Sequence, residues 1–437
     1  MSPREKLSLN RIAYLTSGAA NMYCGSCLHD NTLARALTSK GVETLLVPTY
    51  TPIRTDEEDV SIDQVFFGGI NVYLQQKIPL FRYLPLFLDR VFDVPWLLRK
   101  ATNRGLNINP RALGALTLSM LKGKNGNQRK EVKRLTNWLS KDIQPDVVIL
   151  SNLLIGGCIP AIQQLGIPVI VTLQGDDIFL QDLIEPFKSQ SLDVICDLAK
   201  QVDGFIVHSE YYKEYMQNLF QIPEGKIQVV PLGMDVENLL PGKPRSLASP
   251  PTIGYLARMS KEKGLHVLVD AFIKLKQMPD MQDVQLHIAG WRGSTNKEFA
   301  ELELAKLDAA GLADCYTDFG TVDAEGKRTL LAGLDLLCVP TVHQEPKGLF
   351  ALEALAAGVP VVLPDHGAFP EMLASLQGGY LFEPENSTVL AQVWQERLTD
   401  RAELLQRGAE GRMQMQSQRN AGKMANETID AIRKLLS

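Results

Sequence analysis

Two acidic side chains that flank a glycine are the residues of this chain best placed to do chemistry. Glu345 and Glu353 lie on either side of Gly348 in the segment EPKGLFALE. The apolar run 335–340 before this segment predicts a buried strand, and the Ala- and Leu-rich run 349–357 predicts a helix. The two acids are therefore expected at a turn that joins a strand to a helix.

This turn carries groups that can bind a phosphate and groups that can bind hydroxyls. A glycine lets the backbone approach a ligand, and the amides of Leu349 and Phe350 at the start of the helix can hold a phosphate. Glu353, one turn after Leu349, can face the same ligand. Since phosphate repels a carboxylate, we expect Glu353 to accept hydrogen bonds from sugar hydroxyls. The residues fit a phosphate-and-polyol site of the kind that a nucleotide-sugar needs, and they also fit an ordinary strand–helix–strand crossover with solvated acids.

Two basic residues form a second candidate for phosphate binding. Arg258 and Lys263 follow the apolar run 252–256, which predicts a strand, and precede an amphipathic helix that we expect to end near Lys276. Two cations at the start of a helix can clamp a diphosphate. Basic residues are also common at turns, so this pair by itself identifies no ligand.

Apolar runs alternate with helical patterns along the chain and predict the framework that would hold these residues. The alternation is typical of α/β folds with doubly wound parallel sheets. The loop after the first strand lacks the G-x-G-x-x-G pattern, so we predict no dinucleotide site there. The Pro-, Ser- and Gly-rich segment 240–251 predicts an interdomain linker. We predict strands at 11–16, 44–48, 146–151, 169–173, 204–208, 252–256, 284–290, 335–340 and 359–363, a hairpin at 66–75, and helices that include 26–40, 387–398 and 402–436.

Length and composition favour a soluble protein with two domains. The chain has 437 residues, a net charge of −5 and six cysteines. This length favours two cores, and the net charge offers no general attraction for nucleic acid. Because no apolar run approaches the length of a membrane span and no secretory signal is evident, we expect a cytoplasmic protein with reduced thiols.

The segment with the two acids, together with Gly367, Pro370 and Glu371 after it, resembles the E-x7-E signature of the retaining family-four glycosyltransferases. The resemblance implies the GT-B fold, in which two Rossmann-like doubly wound domains face a cleft. It implies transfer of a hexosyl group from a UDP- or GDP-linked sugar to a hydroxyl, with retention of configuration and without a metal or other cofactor. The implied parts are an acceptor-binding domain, a donor-binding domain and a C-terminal helix that crosses back to the first domain, at 1–240, 250–415 and 416–437. By the same resemblance, segment 226–235 is the strand that leaves the first domain.

The family's functional residues match positions of this sequence. By resemblance, Arg258 and Lys263 hold the diphosphate of the donor and stabilise the leaving nucleotide. Glu353 is similar to the residue that bonds the ribose, and Glu345 to the one that bonds sugar hydroxyls near the reacting centre. The resemblance thus implies a catalytic set of Glu345, Arg258 and Lys263. It adds further donor-binding positions, which are Gly25, Gly320, Gly348, Leu349 and Phe350.

Three places depart from the family pattern. In the loop Tyr23-Cys24-Gly25 the family often has Gly-Gly, so only Gly25 is carried over. Gln174, in the segment TLQGDD, stands where relatives usually carry a histidine near the transferring sugar. Glutamine keeps the hydrogen bonding of histidine but cannot titrate, so we expect no acid–base role there. Gln174 and Asp176 are candidates for contact with the acceptor or the sugar. Lys347 replaces an aromatic residue common at its position, which leaves the donor sugar open.

Several interpretations remain open. The basic and aromatic segment 78–141 could line an acceptor site, dock on the inner membrane surface, or pack on the first domain with a solvated basic edge. Cys24 and Cys27 form a C-x-x-C that fits small buried thiols, a redox pair or, with His29, part of a zinc site. The acceptor could be a glycan, a lipid-linked compound or a small molecule. The alternative functions are a nucleotide-sugar-binding protein without transfer activity and a GT-B epimerase or hydrolase.

Overall fold

The chain forms two compact units, Met1–Pro231 with Ala421–Ser437, and Leu232–Asn420. The structure is a computed structural model. Each unit is an α/β body with its own parallel sheet. The described residues are 8–18, 25–53, 55, 57–62, 65–68, 72, 75–76, 110–239, 247–293 and 296–437.

The first unit is built on a six-stranded parallel sheet. Its strands are β1 (Arg11–Thr16), β2 (Glu43–Pro48), β3 (Val147–Leu150), β4 (Val169–Thr172), β5 (Gly204–Val207) and β6 (Ile227–Val229). Their spatial order is β2-β1-β3-β4-β5-β6. The chain therefore reverses its direction of travel across the sheet between β1 and β3.

The second unit repeats this plan with another six-stranded parallel sheet. Its strands are β7 (Thr252–Leu256), β8 (Gln285–Ala289), β9 (Tyr316–Gly320), β10 (Leu336–Cys338), β11 (Val361–Pro364) and β12 (Gly379–Phe382). The order β12-β11-β10-β7-β8-β9 reverses between β7 and β10. Loops that leave two such strands diverge at the carboxyl edge and open a crevice for a ligand.

Helices connect the strands in both units. In the described ranges they are α1 (Gly25–Ser39), α2 (Pro110–Leu121), α3 (Arg129–Trp138), α4 (Ile159–Gln163), α5 (Asp176–Gln181), α6 (Phe187–Gln201), α7 (Glu210–Leu219), α8 (Leu265–Leu275), α9 (Lys297–Ala309), α10 (Ala324–Ala332), α11 (Leu349–Ala356), α12 (Phe369–Leu376), α13 (Ser387–Thr399), α14 (Arg401–Gln418) and α15 (Ala421–Leu436).

Two hydrophobic cores lie on opposite faces of the first sheet. Along β1, Ala13 and Leu15 belong to one core, and Ile12 and Tyr14 belong to the other. This follows from the alternation of side chains along a strand. Strands β3, β4 and β5 are buried along their whole length, which explains why they read as continuous apolar runs.

The predicted strands are all found, although their ends differ. The largest difference is at 226–235, of which Ile227–Val229 pairs with a neighbour. Strands β9 and β12 were not predicted. Both lie at the edges of the second sheet and carry partly exposed side chains, so they lack the apolar run that identifies a central strand.

The prediction of one helix over 402–436 is wrong, because the structure has two, α14 and α15. Between them, the N–H of Met234 donates to the carbonyl oxygen of Arg419 over 2.9 Å. The backbone at this point pairs with another segment instead of continuing the helix. Helix α15 then packs Met424 and Ile432 into a core of the first unit.

The core of the second unit begins before the predicted linker. Leu232, Met234 and Val236 are buried in that core. The boundary set by packing accordingly falls after Pro231. Residues 240–246 of the predicted linker lie outside the described residues.

The segments predicted as a hairpin and as a membrane-docking region fall partly outside the described residues. Within 66–75, Gln75 is helical, so the hairpin prediction is wrong there. Of 78–141, the structure describes the part from residue 110 onward, where α3 buries Leu135 in the core. No helix in the described ranges is long and apolar enough to cross a membrane.

Candidate active site

The loops after β7 and β10 meet where the order of the second sheet reverses. The N–H groups of Val342 and His343 donate to the carbonyl oxygen of Glu262 over 3.0 and 3.3 Å. Gly264 has a φ of +71°, and a Cβ there would lie 1.7 Å from the carbonyl oxygen of Pro340. A side chain would prevent this approach. The two loops are therefore held together by their backbones.

This contact brings Lys263 and Glu345, 82 positions apart, into an ion pair. Nζ of Lys263 donates to Oε2 of Glu345 over 2.5 Å, and the N–H of Gly348 donates to Oε1 over 3.3 Å. Nζ of Lys263 also lies 5.6 Å from the ring centre of Phe350, a cation–π distance. The side chains of Lys263 and Glu345 are 20% and 8% exposed, so water screens the pair little.

The surroundings of Glu345 favour its charged form. Burial is the largest single influence and raises the pKa of Glu345. The charge and hydrogen bond of Lys263, the N–H of Gly348 and the charge of Lys347 lower it, and the resulting pKa lies below its ordinary value. The carboxylate of Glu345 is therefore ionised near neutral pH.

Gly348 makes the turn into α11 in a left-handed conformation, with φ +60° and ψ 47°. A Cβ there would lie 2.8 Å from a ring carbon of Phe369 and 2.9 Å from Cε of Met372. The amides of Leu349 and Phe350 follow as the first of the helix. First-turn amides have no acceptor within their own helix. They lie where the sequence predicts phosphate binding.

Glu353 pairs with Lys327 of α10. Nζ of Lys327 donates to Oε1 of Glu353 over 2.6 Å, and the two side chains are 12% and 9% exposed. The remaining residues of α11 are apolar (LFALEALA), and a buried acid in such a helix needs a partner. This signal predicts a cation beside Glu353 but does not say which one. The sequence analysis therefore missed Lys327.

Arg258 is the more exposed of the two predicted cations. Its Nη2 lies 2.8 Å from Oε1 of Glu262, and its side chain is 44% exposed. Pairs this exposed contribute little to stability, so the guanidinium can exchange Glu262 for another anion at small cost. Arg258 and Lys263 thus lie on one loop, and each pairs with a different carboxylate.

The loops after β8 and β9 continue the same edge of the second sheet. The N–H of Met259 donates to the carbonyl oxygen of Trp291 over 3.1 Å, which ties the β7 loop to the β8 loop. Gly320, with φ +61°, ends β9 and donates its N–H to Oδ1 of Asp318 over 2.9 Å. Oδ2 of Asp318 accepts from Nη2 of Arg292 over 2.6 Å. Arg292 is a charged neighbour of the predicted Gly320 that the sequence analysis missed.

Gly367 supports the backbone of Glu345. A Cβ at Gly367 would lie 2.7 Å from both the N and the O of Glu345. The N–H of Ala368 donates to that oxygen over 2.9 Å. The loop before α12 thus holds Glu345 by its backbone, while Lys263 holds its side chain.

The other predicted site residues belong to the first unit. Gln174 follows β4, is 8% exposed and donates from Nε2 to Oδ1 of Asp30 over 2.8 Å. Asp176 is the first residue of α5, and its side chain lies outside the described part of the structure. Gly25 is the first residue of α1. All three follow parallel strands at the carboxyl edge of the first sheet.

Of the two cysteines in the C-x-x-C, Cys27 is a buried thiol within a core of the first unit. The interpretation as a small buried thiol is confirmed for Cys27, and Cys24 lies outside the described residues. In the ranges that the structure describes, no three His, Cys, Asp or Glu side chains are grouped to hold a metal ion.

The sequence matches two protein-family models in series. Residues 119–238 match the model described as Glycosyltransferase Family 4, and residues 239–414 match the model described as Glycosyl transferases group 1. Together the two models cover most of the chain and include every predicted site residue of the second unit.

Curated relatives align with parts of the chain. A phosphatidyl-myo-inositol mannosyltransferase from Mycobacterium leprae is 34% identical over 167 residues, which are 37% of this chain and 41% of the relative. A D-inositol 3-phosphate glycosyltransferase from Corynebacterium jeikeium is 28% identical over 203 residues, which are 43% of this chain and 48% of the relative. The chain thus spans less than half the length of these relatives.

Solved structures match nearly the whole chain. A sucrose-phosphate synthase from Thermosynechococcus elongatus has a TM-score of 0.69 at 19% identity and covers 98% of this chain and 99% of its own. HepE from Anabaena, in complex with UDP and glucose, has a TM-score of 0.67 at 17% identity, and the match covers 96% of this chain and 98% of HepE. At such identities the likeness shows the fold, which is GT-B. The family models and the fold agree, and the chain belongs to the group 1, family 4 glycosyltransferases.

Proposed function

We propose that this chain transfers a hexosyl group from a UDP- or GDP-linked sugar to a hydroxyl acceptor, with retention of configuration and without a metal. The observation that carries the proposal is the Lys263–Glu345 ion pair beside the helix start at Gly348. It puts a cation, first-turn amides and a carboxylate at the sheet edge where doubly wound folds bind ligands. A sugar attached to a diphosphate needs these groups.

The diphosphate of the donor binds at the cationic side of this site. Lys263 and Arg258 offset its charge, and the amides of Leu349 and Phe350 donate to its oxygens. The Lys263 ammonium has three donors, so it can keep Glu345 and also bind a phosphate oxygen.

The two carboxylates bind hydroxyls of the donor. Glu353 accepts hydrogen bonds from the ribose, and Lys327 holds its carboxylate in place. Glu345 accepts hydrogen bonds from the sugar near the reacting carbon. Gly320 lines the base end of the site, where its left-handed turn lets the backbone approach a ring.

Transfer replaces one bond of the anomeric carbon with another. The acceptor oxygen bonds to this carbon on the face from which the phosphate leaves, and the bond between the carbon and the phosphate oxygen breaks. The leaving phosphate takes the proton of the acceptor hydroxyl, so the step needs no protein base. This route is therefore open to a chain with the non-titrating Gln174. Lys263 and Arg258 stabilise the charge that develops on the leaving group.

The first unit binds the acceptor, which is a glycan, a lipid-linked compound or a small hydroxyl compound. Gly25, Gln174 and Asp176 are the residues proposed to lie near the acceptor and the sugar. The names of the two curated relatives make inositol compounds the first acceptors to test. A lipid-linked acceptor would place this cytoplasmic protein at the inner membrane surface, with 78–141 as the contact.

A thermal-shift panel of UDP-, GDP- and ADP-sugars tests the donor site. A ligand that binds the native state raises the melting temperature. We expect one base to do so, and Lys263→Met to abolish the shift. The matched control Lys261→Met removes an exposed lysine from the same loop and should keep the shift in melting temperature. A folded protein that responds to no donor, or a Lys263→Met protein that responds like the wild type, contradicts the proposed site.

A nucleotide-sugar-binding protein without transfer activity is the second candidate, and the neutral Gln174 favours it. Such a protein would pass the thermal-shift test but would release no nucleotide when an acceptor is added. An epimerase or hydrolase of this fold would release nucleotide, or a changed sugar, without any acceptor. A nucleotide-release assay with and without acceptor, combined with identification of the sugar product, separates the three.

A further inference from the structure

Several polar groups of the first unit converge on one buried carboxylate, that of Asp30. The Tyr14 hydroxyl and Nε2 of Gln174 donate to Oδ1 over 2.6 and 2.8 Å. The Thr16 hydroxyl donates to Oδ2 over 2.7 Å, and Nδ1 of His29 lies 3.2 Å from Oδ1. Asp30 is 0% exposed, and all four neighbours are buried. We call these five residues the Asp30 cluster.

The Asp30 cluster lies where the order of the first sheet reverses. Thr16 is the last residue of β1, and Ser151 follows the end of β3, the two strands that flank the reversal. Nε2 of Gln174 lies 3.4 Å from the carbonyl oxygen of Ser151. Doubly wound sheets bind their ligands at this edge. The cluster is therefore part of the candidate ligand-binding edge of the first unit.

The partners of Gln174 decide which end of its amide faces them. Oδ1 of Asp30 and the carbonyl oxygen of Ser151 are both acceptors, so the NH2 group must face them. The carbonyl oxygen Oε1 is thereby directed away from Asp30. Burial and the nearby charge of Asp30 raise the pKa of Tyr14 well above its ordinary value. The Tyr14 hydroxyl therefore keeps its proton and is a second donor to the same carboxylate.

Packing alone gives no reason for an acid at position 30. Leu33, Ala34 and Leu37, on the following turns of α1, are buried in an apolar core. Burying a carboxylate there is unfavourable unless hydrogen bonds satisfy it, and an apolar side chain would fill the same space. The acid is explained by the groups that it holds in place.

We infer that Asp30 is a positioning residue, which holds the amide of Gln174 so that its carbonyl oxygen accepts a hydrogen bond from a substrate hydroxyl. The inference rests on the proposed transfer function. Asp30 is fully buried and acts on the reaction through Gln174. The hydroxyl belongs either to the acceptor or to the donor sugar, and the kinetic test below separates the two.

A double-mutant cycle on transfer activity tests the coupling. Asp30→Leu removes the acceptor and fills the space, and Gln174→Ala removes the group that is held. We expect each variant to lower kcat/KM by about threefold to tenfold, as for one hydrogen bond between neutral groups. The double variant should be no slower than either single variant. Asp30→Asn keeps one carbonyl acceptor and should lose less than Asp30→Leu.

The control and the kinetic constants decide the outcome. Thr38→Val removes an exposed hydroxyl of the same helix, which donates to the carbonyl oxygen of Ala34 and not to Asp30, and should leave kcat/KM within about twofold. A loss in the acceptor KM assigns the hydroxyl to the acceptor, and a loss in the donor KM assigns it to the donor sugar. Additive losses in the cycle, or an equal loss in Thr38→Val, overturn the inference.

The side-chain amide of Gln174 provides a readout that needs no turnover. In protein with isotope-labelled glutamine, the NMR signal pair lost in Gln174→Ala belongs to Gln174. We expect slow exchange with water in the wild type and in Thr38→Val, and a shifted, faster-exchanging signal in Asp30→Leu. An unchanged Gln174 signal in Asp30→Leu overturns the inference. If no nucleotide-sugar shifts the melting temperature, the proposed function is wrong. The NMR signal of Gln174 still tests its hydrogen bond to Asp30 in that case.

Discussion

Removing the Lys263 charge should destabilise the second unit in a way that depends on pH. In Lys263→Met, Glu345 loses its ion-pair partner but stays buried, because the loops around it are held by backbone contacts. The hydrogen bond from Gly348 and the charge of Lys347 remain. The variant therefore isolates the interaction between one lysine and one buried carboxylate.

The structure sets the expected size of this effect. Removing one partner of a buried ion pair costs about 3–5 kcal/mol. Lys263 is one-fifth exposed, and Glu345 keeps two favourable neighbours, so the loss should lie at or below the lower end of this range. We expect about 2–3 kcal/mol near neutral pH. A surface pair would contribute about 1 kcal/mol or less.

The pH dependence follows from the direction of the pKa shift. In the wild type, the folded-state pKa of Glu345 is lowered, so its contribution is present above the unfolded-state pKa and is lost as pH falls through the folded-state pKa. In Lys263→Met, burial is opposed only by the two smaller influences, the Gly348 hydrogen bond and the Lys347 charge, and should raise the pKa of Glu345 above the unfolded-state value. The variant then carries a penalty near neutral pH that is relieved as pH falls. The stability difference between the two proteins should therefore shrink on acidification.

Urea unfolding at about pH 7 and about pH 5 measures this difference. Lys261→Met, on the same loop, should match the wild type within about 0.5 kcal/mol at both values. Lys263→Met combined with Glu345→Gln removes the titrating group, and its difference from Lys261→Met should change little with pH. A Lys263→Met protein as stable as the wild type, or one whose relative stability falls on acidification, would refute the reasoning.

Three further changes test other contacts. Gly264→Ala should destabilise the protein by more than about 3 kcal/mol, because its Cβ would lie 1.7 Å from the carbonyl oxygen of Pro340. Gly311→Ala, at φ +74° with no atom within 4 Å, should lose only about 1–2 kcal/mol of stability, which is the cost of backbone strain. Equal losses of stability in urea unfolding would contradict the close contact at Gly264. Lys327→Met should weaken donor binding about tenfold by releasing Glu353, and unchanged affinity in calorimetry would argue against a role for Glu353 in the donor site. Removal of α15 exposes an apolar core and should abolish the thermal unfolding transition of the first unit. A calorimetric scan of the shortened protein that still has two transitions would disprove this.

The central strands and the turn at Gly348 could be predicted from the sequence because their signals are local. A strand buried on both faces appears in the sequence as a continuous apolar run. The start of α11 appears as a glycine directly before an Ala- and Leu-rich segment. The edge strands β9 and β12 lack such a run. The break between α14 and α15 was missed although Asn420, a residue type that favours helix starts, directly precedes α15; in the structure the backbone pairs with Met234 at this point.

The sequence by itself determined which residues carry charge and on which elements they lie, and it indicated the family through the spacing of Glu345 and Glu353. The tertiary structure alone decided the partner of each charge. Lys263 pairs with Glu345, Lys327 with Glu353, and Gln174 with Asp30, at separations of 82, 26 and 144 positions. Periodicity and propensity describe neighbours within a few residues. Contacts over such separations depend on which loops the parallel strands bring to the same edge of a sheet.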